Sequence, residues 1–406
     1  MPALDTARRL ILDRLDPLPA EEVGLADADG RVLTADVTAP FDLPHWDNSA
    51  MDGFAVRSVD CAAGAVLRVT GMIAAGDPAG SGIEPGCAAQ ILTGAPMPAG
   101  ADTVVPFEEV DEADGTIRLA GPAAPGQHLR RRGGDIRAGE VCLPGGRLVG
   151  PPEIALLAAV GRTSVAVHRR PRVAIVSTGN ELLAPGTPLR PGAIYDSNGP
   201  MLAAAVTRAG GTPVPLGVAP DDVDGLRQLL RQGLAADVLV TSAGVSTGER
   251  DLVRDTLADL GAEEAFYKVD IQPGRPFACA FAGPTCILSL PGNPVAAMLT
   301  FEVLVRPALR RLQGSTPSDA APARARLEDP VQPRLDRITL LRVVLERGPE
   351  GLTAASAGRQ ATGLMKTLSD ADALAFIPPG PDVLPAGTLV DIQFLRHETA
   401  MGEGRR

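Results

Sequence analysis

Short apolar runs alternate with helical patterns between residues 171 and 313, and this alternation limits the fold more than any other feature of the chain. The strand-like runs occupy 173–176, 212–218, 238–241 and 286–290. The helical patterns between and after them occupy 201–208, 223–234 and a segment from about 251. Strands that alternate with helices in this way form parallel sheets covered on both faces. We therefore predict a doubly wound, parallel-sheet α/β domain over residues 171–313.

The flanking regions carry β-type runs separated by glycine and proline. Runs at 66–69, 89–92 and 103–105 predict a β-rich domain over residues 41–137. Runs at 338–344, 374–377 and 388–394 predict a small C-terminal β-barrel over residues 314–406. Helical patterns at 5–15 and 151–160 place a linker and helical domain in residues 1–40 and 138–170. The fold class is thus α/β plus β, in several domains.

Composition excludes several classes of function. The net charge of -11 argues against nonspecific nucleic-acid binding, which needs a basic face. Five cysteines without a C-x-x-C pair argue against a disulfide framework or a zinc knuckle, and four scattered histidines give no transition-metal site. No apolar stretch is long enough to cross a bilayer. We expect a soluble, cytoplasmic protein whose metal, if it has one, is bound by oxygen atoms.

The segment Asp47-Asn48-Ser49-Ala50-Met51-Asp52-Gly53-Phe54-Ala55 places turn-forming polar residues between apolar ones. Asp52-Gly53 is a turn signal, because glycine permits positive φ and aspartate bonds its own backbone. A plain surface turn explains the pattern, and so does a carboxylate presented by an ordered frame. Asp52 is therefore a candidate functional residue.

Three predicted strands end in glycine-rich loops that open helices. The residues in these loops that we expect to bind substrate are Ser177, Thr178, Gly179, Ser242, Gly244, Ser246, Pro291, Gly292, Asn293 and Pro294. At the carboxyl edge of a parallel sheet, such loops meet and present backbone N–H groups to anions. Ordinary turns would explain one such loop more easily than three. None matches the P-loop or the dinucleotide fingerprint, so a phosphate or oxyanion pocket of another kind is predicted.

Acidic residues accompany these loops at Glu181, Asp222 and Asp251. Carboxylates beside a phosphate site commonly hold Mg²⁺, although Asp251 also fits a helix cap. The sequence therefore predicts Mg²⁺ as the cofactor, bound by carboxylates beside these loops.

Basic residues are almost all arginine, so the one arginine cluster and the two lysines are candidates for anion binding. Arg130, Arg131 and Arg132 form a dense run that is either a solvated face or a binding site for a second anionic group. Lysine occurs only at Lys268 and Lys366, by chance or because a compact movable charge is required there. Together with Arg275, these residues add positive charge for an anionic substrate.

Six motifs in order along nearly the whole chain resemble the MoeA family, the molybdopterin molybdenumtransferases related to the gephyrin E domain. They are the segments 47–56, 92–96, 130–135, 177–182, the glycine loop from 242, and 290–294. The resemblance implies insertion of molybdate into adenylylated molybdopterin with release of AMP, dependent on Mg²⁺. It also implies an elongated homodimer of four-domain subunits with a MogA-like α/β domain, and a molybdopterin adenylyltransferase as a candidate partner.

The family's functional positions fall on defined residues of this chain. They are Asp52, Thr93, Asp135, Glu181, Asp222, Asp251, Lys268, Arg342 and Ser369. We expect Asp52, Glu181, Asp251 and Lys268 to be catalytic, and Asp52, Glu181, Asp222 and Asp251 to hold the metal. Two departures from the family pattern are Gln272, where a lysine is common, and Asp372, where asparagine is frequent.

Two other classes of function are weighed against this one. The α/β region also resembles molybdopterin adenylyltransferases, which would make the chain a nucleotidyl transferase. A noncatalytic scaffold of the gephyrin type is the third reading, and the presence of Asp52, Glu181 and Asp251 argues against it.

Overall fold

The computed structural model describes residues 1–243, 252–315 and 322–396. The chain divides into two compact units, which we describe separately. The large unit comprises Met1–Glu22, Gly30–Thr34 and Ala166–Arg406, and the small unit comprises Val23–Asp29 and Ala35–Val165. Within the described ranges, every helix is too short or too polar to cross a bilayer.

The first part of the chain consists of short elements. In chain order they are α1 (Leu4–Leu12), β1 (Ala20–Gly24), β2 (Val37–Thr38), β3 (Asn48–Ser49), β4 (Gly53–Val56), β5 (Val66–Ile73), β6 (Cys87–Ile91), β7 (Thr103–Pro106), β8 (Val110–Ala113), β9 (Thr116–Leu119), β10 (Leu129–Arg130), β11 (Val141–Leu143), α2 (Pro151–Ala159) and β12 (Ser164–His168).

The remainder contains longer strands and helices. They are β13 (Arg172–Thr178), β14 (Leu182–Leu183), β15 (Ile194–Tyr195), α3 (Asn198–Arg208), β16 (Thr212–Ala219), α4 (Val223–Gly233), β17 (Val238–Ser242), α5 (Leu252–Asp259), β18 (Glu263–Tyr267), β19 (Ile271–Gln272), β20 (Ala278–Ala282), β21 (Thr285–Leu290), α6 (Pro294–Thr300), a π-helical turn (Phe301–Val305), α7 (Arg306–Leu312), β22 (Ala323–Leu327), β23 (Ile338–Gly348), β24 (Gly351–Ser356), α8 (Met365–Asp370), β25 (Ala373–Ile377) and β26 (Leu389–Phe394).

The α/β sheet of the large unit has the strand order β16-β13-β17-β21-β20-β18. The first four strands are parallel, which confirms the predicted parallel sheet, and β20 and β18 add an antiparallel edge. The edge was not predicted, because Ala278–Ala282 is mostly alanine and has no β-branched residue, which leaves Phe281 as its one strand-favouring aromatic residue. Pairing with β21 makes this segment a strand.

Both faces of the sheet are covered. Ile175 belongs to a core with Leu202 and Val206 of α3, whereas its neighbour Val176 belongs to a second core with Leu230 of α4. Successive residues of a strand point to opposite faces, so this division is the mark of a doubly wound sheet. Burying each such leucine contributes about 1.5–3 kcal/mol to folding.

The C-terminal strands close into a barrel, as predicted. The order β23-β24-β22-β26-β25 returns to β23 through a β23–β25 pairing, which makes five strands in a closed ring. The short strand β19 joins β23 in parallel from outside that ring. Residues such as Val343, Ala375 and Ile392 fill the interior.

The small unit is β-rich, as predicted, with a six-stranded sheet of order β7-β4-β6-β5-β9-β8. The two-stranded pairs β10–β3 and β11–β2 lie in the same unit. All four residues of β4 are buried, and Phe54 is fully enclosed next to Phe107, with the two rings 5.3 Å apart. The predicted division of the chain into four domains stays a prediction.

Gly53 is required for a reason other than the one its sequence context indicated. The Asp52-Gly53 pair predicts a turn with positive φ, and that prediction is wrong, because Gly53 is not among the residues with positive φ. Gly53 instead opens β4 opposite Pro106, where a Cβ atom would lie 2.1 Å from the Val105 carbonyl oxygen. Close backbone approach therefore fixes glycine directly after Asp52.

We expect Gly53→Ala to destabilise the protein, because the added methyl group cannot fit without parting β4 from β7. Overpacking of this kind costs roughly 1–3 kcal/mol or more. Gly71→Ala in β5 is the matched control, since a Cβ there meets no atom within 4 Å. Urea unfolding of both variants measures the effect, and equal midpoints would contradict this account.

Candidate active site

Asp52 is an exposed carboxylate with one oxygen fixed. The backbone N–H and the hydroxyl of Thr93 each donate a hydrogen bond to Asp52 Oδ1, both at 2.7 Å. Among the described residues, none donates to Oδ2. Asp52 therefore presents one free oxygen to solvent in a defined orientation.

The two chain segments that carry Asp52 and Thr93 are joined by backbone hydrogen bonds. Gly94 N donates to Ser49 O at 2.9 Å, Ser49 N to Ala95 O at 3.1 Å, and Met97 N to Asp47 O at 2.9 Å. These bonds set the loop around residue 93 against the segment 47–52. The Thr93 contact with Asp52 thus follows from backbone pairing and not from a chance rotamer.

The backbone N–H of Thr93, followed by its hydroxyl, lowers the pKa of Asp52. Hydrogen bonds to the ionised form stabilise a carboxylate, so Asp52 is charged at neutral pH. A lowered pKa suits an anionic acceptor and does not suit a proton donor.

The predicted arginine run is largely engaged in ion pairs. Arg131 Nη1 lies 2.9 Å from Asp47 Oδ2, and Arg132 Nε lies 2.6 Å from Asp42 Oδ2. The backbone N–H of Arg132 donates to Asp47 at 2.7 Å and is the main cause of the lowered pKa of Asp47. These pairs brace the segment that carries Asp52.

Two members of the predicted set stay open to solvent in this region. Arg130, on β10 opposite Asn48, is exposed and forms no ion pair with any described residue. Asp135 is also exposed, and its backbone N–H donates to Leu43 O at 3.0 Å. Arg130 is therefore the member of the run with a guanidinium available to a ligand.

In the large unit, the ends of three parallel strands lie in one row. Ser177 of β13 is in register with Ser242 of β17, which is in register with Leu290 of β21. Asn198, at the start of α3, ties this row together, because its Nδ2 donates to Ser242 Oγ at 2.6 Å and to Gly292 O at 2.8 Å. The loops at 177–181 and 291–294 therefore meet at one edge, as predicted.

Several buried oxygen atoms at this edge have no hydrogen-bond partner in the described parts of the chain. They are Ser177 Oγ, Thr241 Oγ1, Asn198 Oδ1 and Asn293 Oδ1. Buried polar atoms are normally paired, and exceptions call for an explanation such as a ligand or ordered water. Ala243 adds strain here, with a φ of 76° in the left-handed region.

The barrel contributes to the same edge. Asn293 Nδ2 donates to Thr362 Oγ1 at 3.0 Å, and Thr362 belongs to the segment between β24 and α8. At Gly292, a Cβ atom would lie 2.9 Å from the Ala243 Cβ, so a side chain has no room between the two loops. Glycine at 292 permits the close approach that brings Asn293 to the barrel.

The predicted metal ligands fall in different places. Glu181 is exposed on the loop after β13, with its carboxylate turned back to Gly179, where a Cβ would lie 2.4 Å from Oε2. Asp222 caps α4, since its Oδ1 accepts the Gly225 N–H at 2.8 Å. Asp251, with Gly244 and Ser246, lies outside the described residues. Within the described ranges, no group of three acidic, histidine or cysteine residues comes together as a metal site.

Lys268 has unusual geometry for a lysine. Its φ of 67° lies in the left-handed region, its N–H donates to Phe277 O at 2.8 Å, and its Nζ lies 4.8 Å from the centre of the Tyr267 ring. A nonglycine residue held in this conformation is frequently functional. Arg275, in the turn that follows, is half-buried, and its Nε contacts Met1 Sδ.

The remaining predicted residues lie on the barrel. Arg342 is 1 % exposed, its Nη2 donates to Arg359 O and Ala361 O, and its Nε and Nη1 are without partners among the described residues. Burial lowers the pKa of Arg342. Lys366 and Ser369 are exposed on α8, where Lys366 pairs with Asp370 at 3.0 Å. Arg342 thus supports the loop at 359–361 from within, whereas Lys366 is a surface ion pair.

Comparisons with known proteins now identify the family. Residues 3–161 match the MoeA N-terminal region (domain I and II), 174–311 match the probable molybdopterin binding domain, and 324–395 match the MoeA C-terminal region (domain IV). The chain belongs to the MoeA family. The three matches follow one another along the chain and include the row of strand ends, the Asp52 segment and the barrel.

Relatives of similar length support this assignment. Molybdopterin molybdenumtransferase 2 of Mycobacterium tuberculosis is 38% identical over 97% of this chain and 99% of its own. The molybdopterin molybdenumtransferase of Synechococcus elongatus is 35% identical over 93% of this chain and 95% of its own. The crystal structure of the molybdopterin biosynthesis MoeA protein of Pyrococcus horikoshii has a TM-score of 0.82 at 34% identity, covering 97% of this chain and 99% of that one.

The sequence patterns did not single out every residue that organises this MoeA-family site. Asn198, the first residue of α3, joins the Ser242 strand end to the loop at Gly292 through its side-chain amide, whereas Asp196 Oδ1 accepts the Gly199 N–H in the first turn at 2.9 Å. Thr362, which accepts a hydrogen bond from Asn293, carried no signal in the sequence.

We expect Thr93→Val to raise the pKa of Asp52 while leaving it below its usual value, because the hydroxyl is lost and the backbone N–H remains. A lowered pKa stabilises the fold above the unfolded value of about 3.9 and that contribution disappears as pH falls. Carbon-13 NMR titration of the Asp52 carboxyl measures the shift. Thr116→Val, on β9 of the same unit, is the control. If the pKa of Asp52 is the same in Thr93→Val and in wild type, the Thr93 hydroxyl does not lower it.

Proposed function

We propose that this chain is a molybdopterin molybdenumtransferase, which inserts molybdate into the dithiolene of adenylylated molybdopterin, cleaves the phosphoanhydride and releases AMP. The observation that carries the proposal is the row of strand ends at Ser177, Ser242 and Leu290, where unpaired buried oxygens and open loops converge. The relatives that cover nearly the whole chain bear the name of this transferase. Nucleotidyl transfer and a noncatalytic scaffold have no comparable support.

Every substrate of this reaction is an anion, and the carboxyl edge suits anions. Helix α6 begins at this edge, and its N–H groups after Pro294 carry partial positive charge, whereas in the first turn of α3 the Gly199 N–H already donates to Asp196. In α6 the residue before the helix is Asn293, with no side-chain cap on those N–H groups. We assign binding of the pterin phosphate and the adenylate to the loops 177–179 and 291–294, with Arg275, Arg342 and Lys268 adding positive charge.

Asp52 is the proposed reactive carboxylate of the small unit. Its charge is held by Thr93, and its free Oδ2 can orient a metal ion or an attacking oxygen. No covalent protein intermediate is required, because molybdate and the dithiolene supply the bonds that form. The proposed role of Thr93 is to fix Asp52, and that of Arg130 and Asp135 is to bind substrate nearby.

Mg²⁺ is the proposed cofactor, bound by few protein groups. Asn180 N donates to Asp221 Oδ2 at 3.0 Å, which joins the loops that carry Glu181 and Asp222. Both carboxylates are exposed, and Mg²⁺ usually takes only one or two carboxylates together with substrate phosphates and water. The donor set therefore fits a Mg²⁺ ion that arrives with its substrate. When bound, the ion would offset negative charge at the scissile phosphoanhydride.

We further propose a cytoplasmic homodimer in which the small unit of one subunit and the large unit of the other act on the same substrate. The MoeA resemblance supports this arrangement. A molybdopterin adenylyltransferase, which makes the adenylylated substrate, is the proposed partner.

We expect Asp52→Asn to abolish molybdate-dependent AMP release while the fold is retained, because the shape is kept and only the charge is lost. Activity should fall by at least about a hundredfold if Asp52 acts in the transition state. Asp111→Asn, an exposed aspartate on β8 of the same unit, is the control and should keep wild-type activity. AMP release by folded Asp52→Asn at the wild-type rate would show that Asp52 has no catalytic role. Adenylylation of molybdopterin by ATP without molybdate would indicate a nucleotidyl transferase instead.

Subunit mixing tests the shared site. If a dimer combines the two units of different subunits, Asp52→Asn mixed with Glu181→Gln should regain up to about a quarter of wild-type AMP release, since some heterodimers contain one intact site. Subunit exchange is verified with differently tagged chains. Exchange without any recovered activity would count against the shared site and leave the family assignment in place.

A further inference from the structure

A second region of the large unit gathers positive charge away from the carboxyl-edge loops. Two adjoining cavities of about 970 and 920 Å³ lie among α1, α7 and the barrel strands β22, β25 and β26. Both are lined by Arg8, Arg306 and Arg310. We refer to the two cavities together as the arginine recess. Its residues have no role in the proposed transferase reaction, and the chain as a whole is acidic, with a net charge of -11.

Most acidic groups near the recess are engaged: Asp391 pairs with Arg324 at 2.9 Å, and Asp13, at the end of α1, is the one lining carboxylate without an ion pair among the described residues. Glu302, in the π-helical turn, is 1 % exposed and accepts from Arg208 at one oxygen and from Arg306 at the other, both at 3.0 Å. Gln393 donates to the same carboxylate at 3.2 Å. Both oxygens of Glu302 are thus engaged, and no ion pair joins Glu302 to Arg310. Asp5 pairs with Arg8 at 3.2 Å at the rim.

Positive charge therefore remains uncompensated in the recess. Burial lowers the pKa of Arg306, Glu302 opposes this, and the neighbouring charges of Arg310, Arg208 and Arg8 add to the lowering. Arg310, in the last turn of α7, has no hydrogen bond or ion pair to any described residue through its side chain. Like charges gathered around a cavity destabilise the free protein and favour binding of an anion.

The barrel side of the larger cavity carries a group of apolar rings among polar side chains such as Asp391 and Gln393. Phe376, Pro378, Pro379 and Phe394 line the larger cavity from the barrel side, and the Arg8 guanidinium lies 6.0 Å from the centre of the Phe376 ring. Apolar rings beside guanidinium groups accommodate a ligand with a flat ring at one end and an anionic group at the other. Each cavity is also of the size usual for small-molecule sites.

We propose that the arginine recess binds a nucleoside phosphate, with the phosphate against Arg306 and Arg310 and the base against Phe376 and the two prolines. Arginine pairs with phosphate through two parallel N–H donors, which makes it suited to this role. The site is separate from the carboxyl-edge loops and does not depend on the transferase reaction.

Calorimetric titration of the full chain with ATP, in the absence of any pterin, tests the proposal. We expect Arg310→Gln to weaken ATP binding by roughly tenfold, as expected for loss of one charge-assisted contact. Arg231→Gln is the matched control, since Arg231 also lies exposed in the last turn of a helix, α4, without an ion pair among the described residues. Adenosine and pyrophosphate are titrated separately, and each should bind more weakly than ATP.

Two further measurements distinguish ATP binding at the recess from ATP binding at the proposed active site. Hydrogen exchange should show ATP-dependent protection in residues 4–12 and 306–312 of wild-type protein and not of Arg310→Gln. AMP release by Arg310→Gln should match wild type. Equal ATP affinity in Arg310→Gln and wild type, or ATP binding that is weakened by Asn293→Ala and not by Arg310→Gln, would overturn the proposal. Neither of these results bears on the transferase assignment.

Discussion

Parallel pairing of β13, β17 and β21 in a common register is the constraint on which the candidate site depends. Because Ser177, Ser242 and Leu290 lie side by side at the ends of the three strands, the described segments that adjoin them, 177–181, 242–243 and 291–294, lie at one edge of the sheet. Asn198 then connects two of them with one amide group. A shift of one strand by a single residue would turn these side chains to the other face and separate the loops.

The carboxyl edge holds features that a purely structural sheet would avoid. Buried oxygens without described partners, a left-handed alanine at 243 and a glycine at 292 that excludes any side chain all reduce stability. The apolar layers beneath, with residues such as Ile175 and Leu288 fully buried, offset this cost. Proteins commonly depart from local rules where a ligand must bind, which is consistent with the proposed role of this edge.

Asp52 illustrates a different solution in the small unit. Its orientation depends on three backbone hydrogen bonds between the segments at 47–52 and 92–97, and on Gly53 being able to approach Val105. The arginines at 131 and 132, which the sequence offered as anion ligands, are used instead to brace Asp47 and Asp42. The ion pairs of Arg131 and Arg132 therefore stabilise the segment that presents the Asp52 carboxylate.

The sequence by itself determined the fold class, because the change from helical to strand periodicity and the positions of glycine and proline depend only on local patterns. It also placed Asp52, Ser177, Ser242 and Asn293 among the candidate site residues. It could not reveal the antiparallel edge at 278–282, since an alanine-rich segment becomes a strand only when β21 offers its hydrogen bonds. Nor could it find Asn198, Thr362 or the arginine recess, whose residues are distant in the chain. Only tertiary structure decides such contacts, because side-chain partners and buried charge depend on which distant segments the backbone brings together.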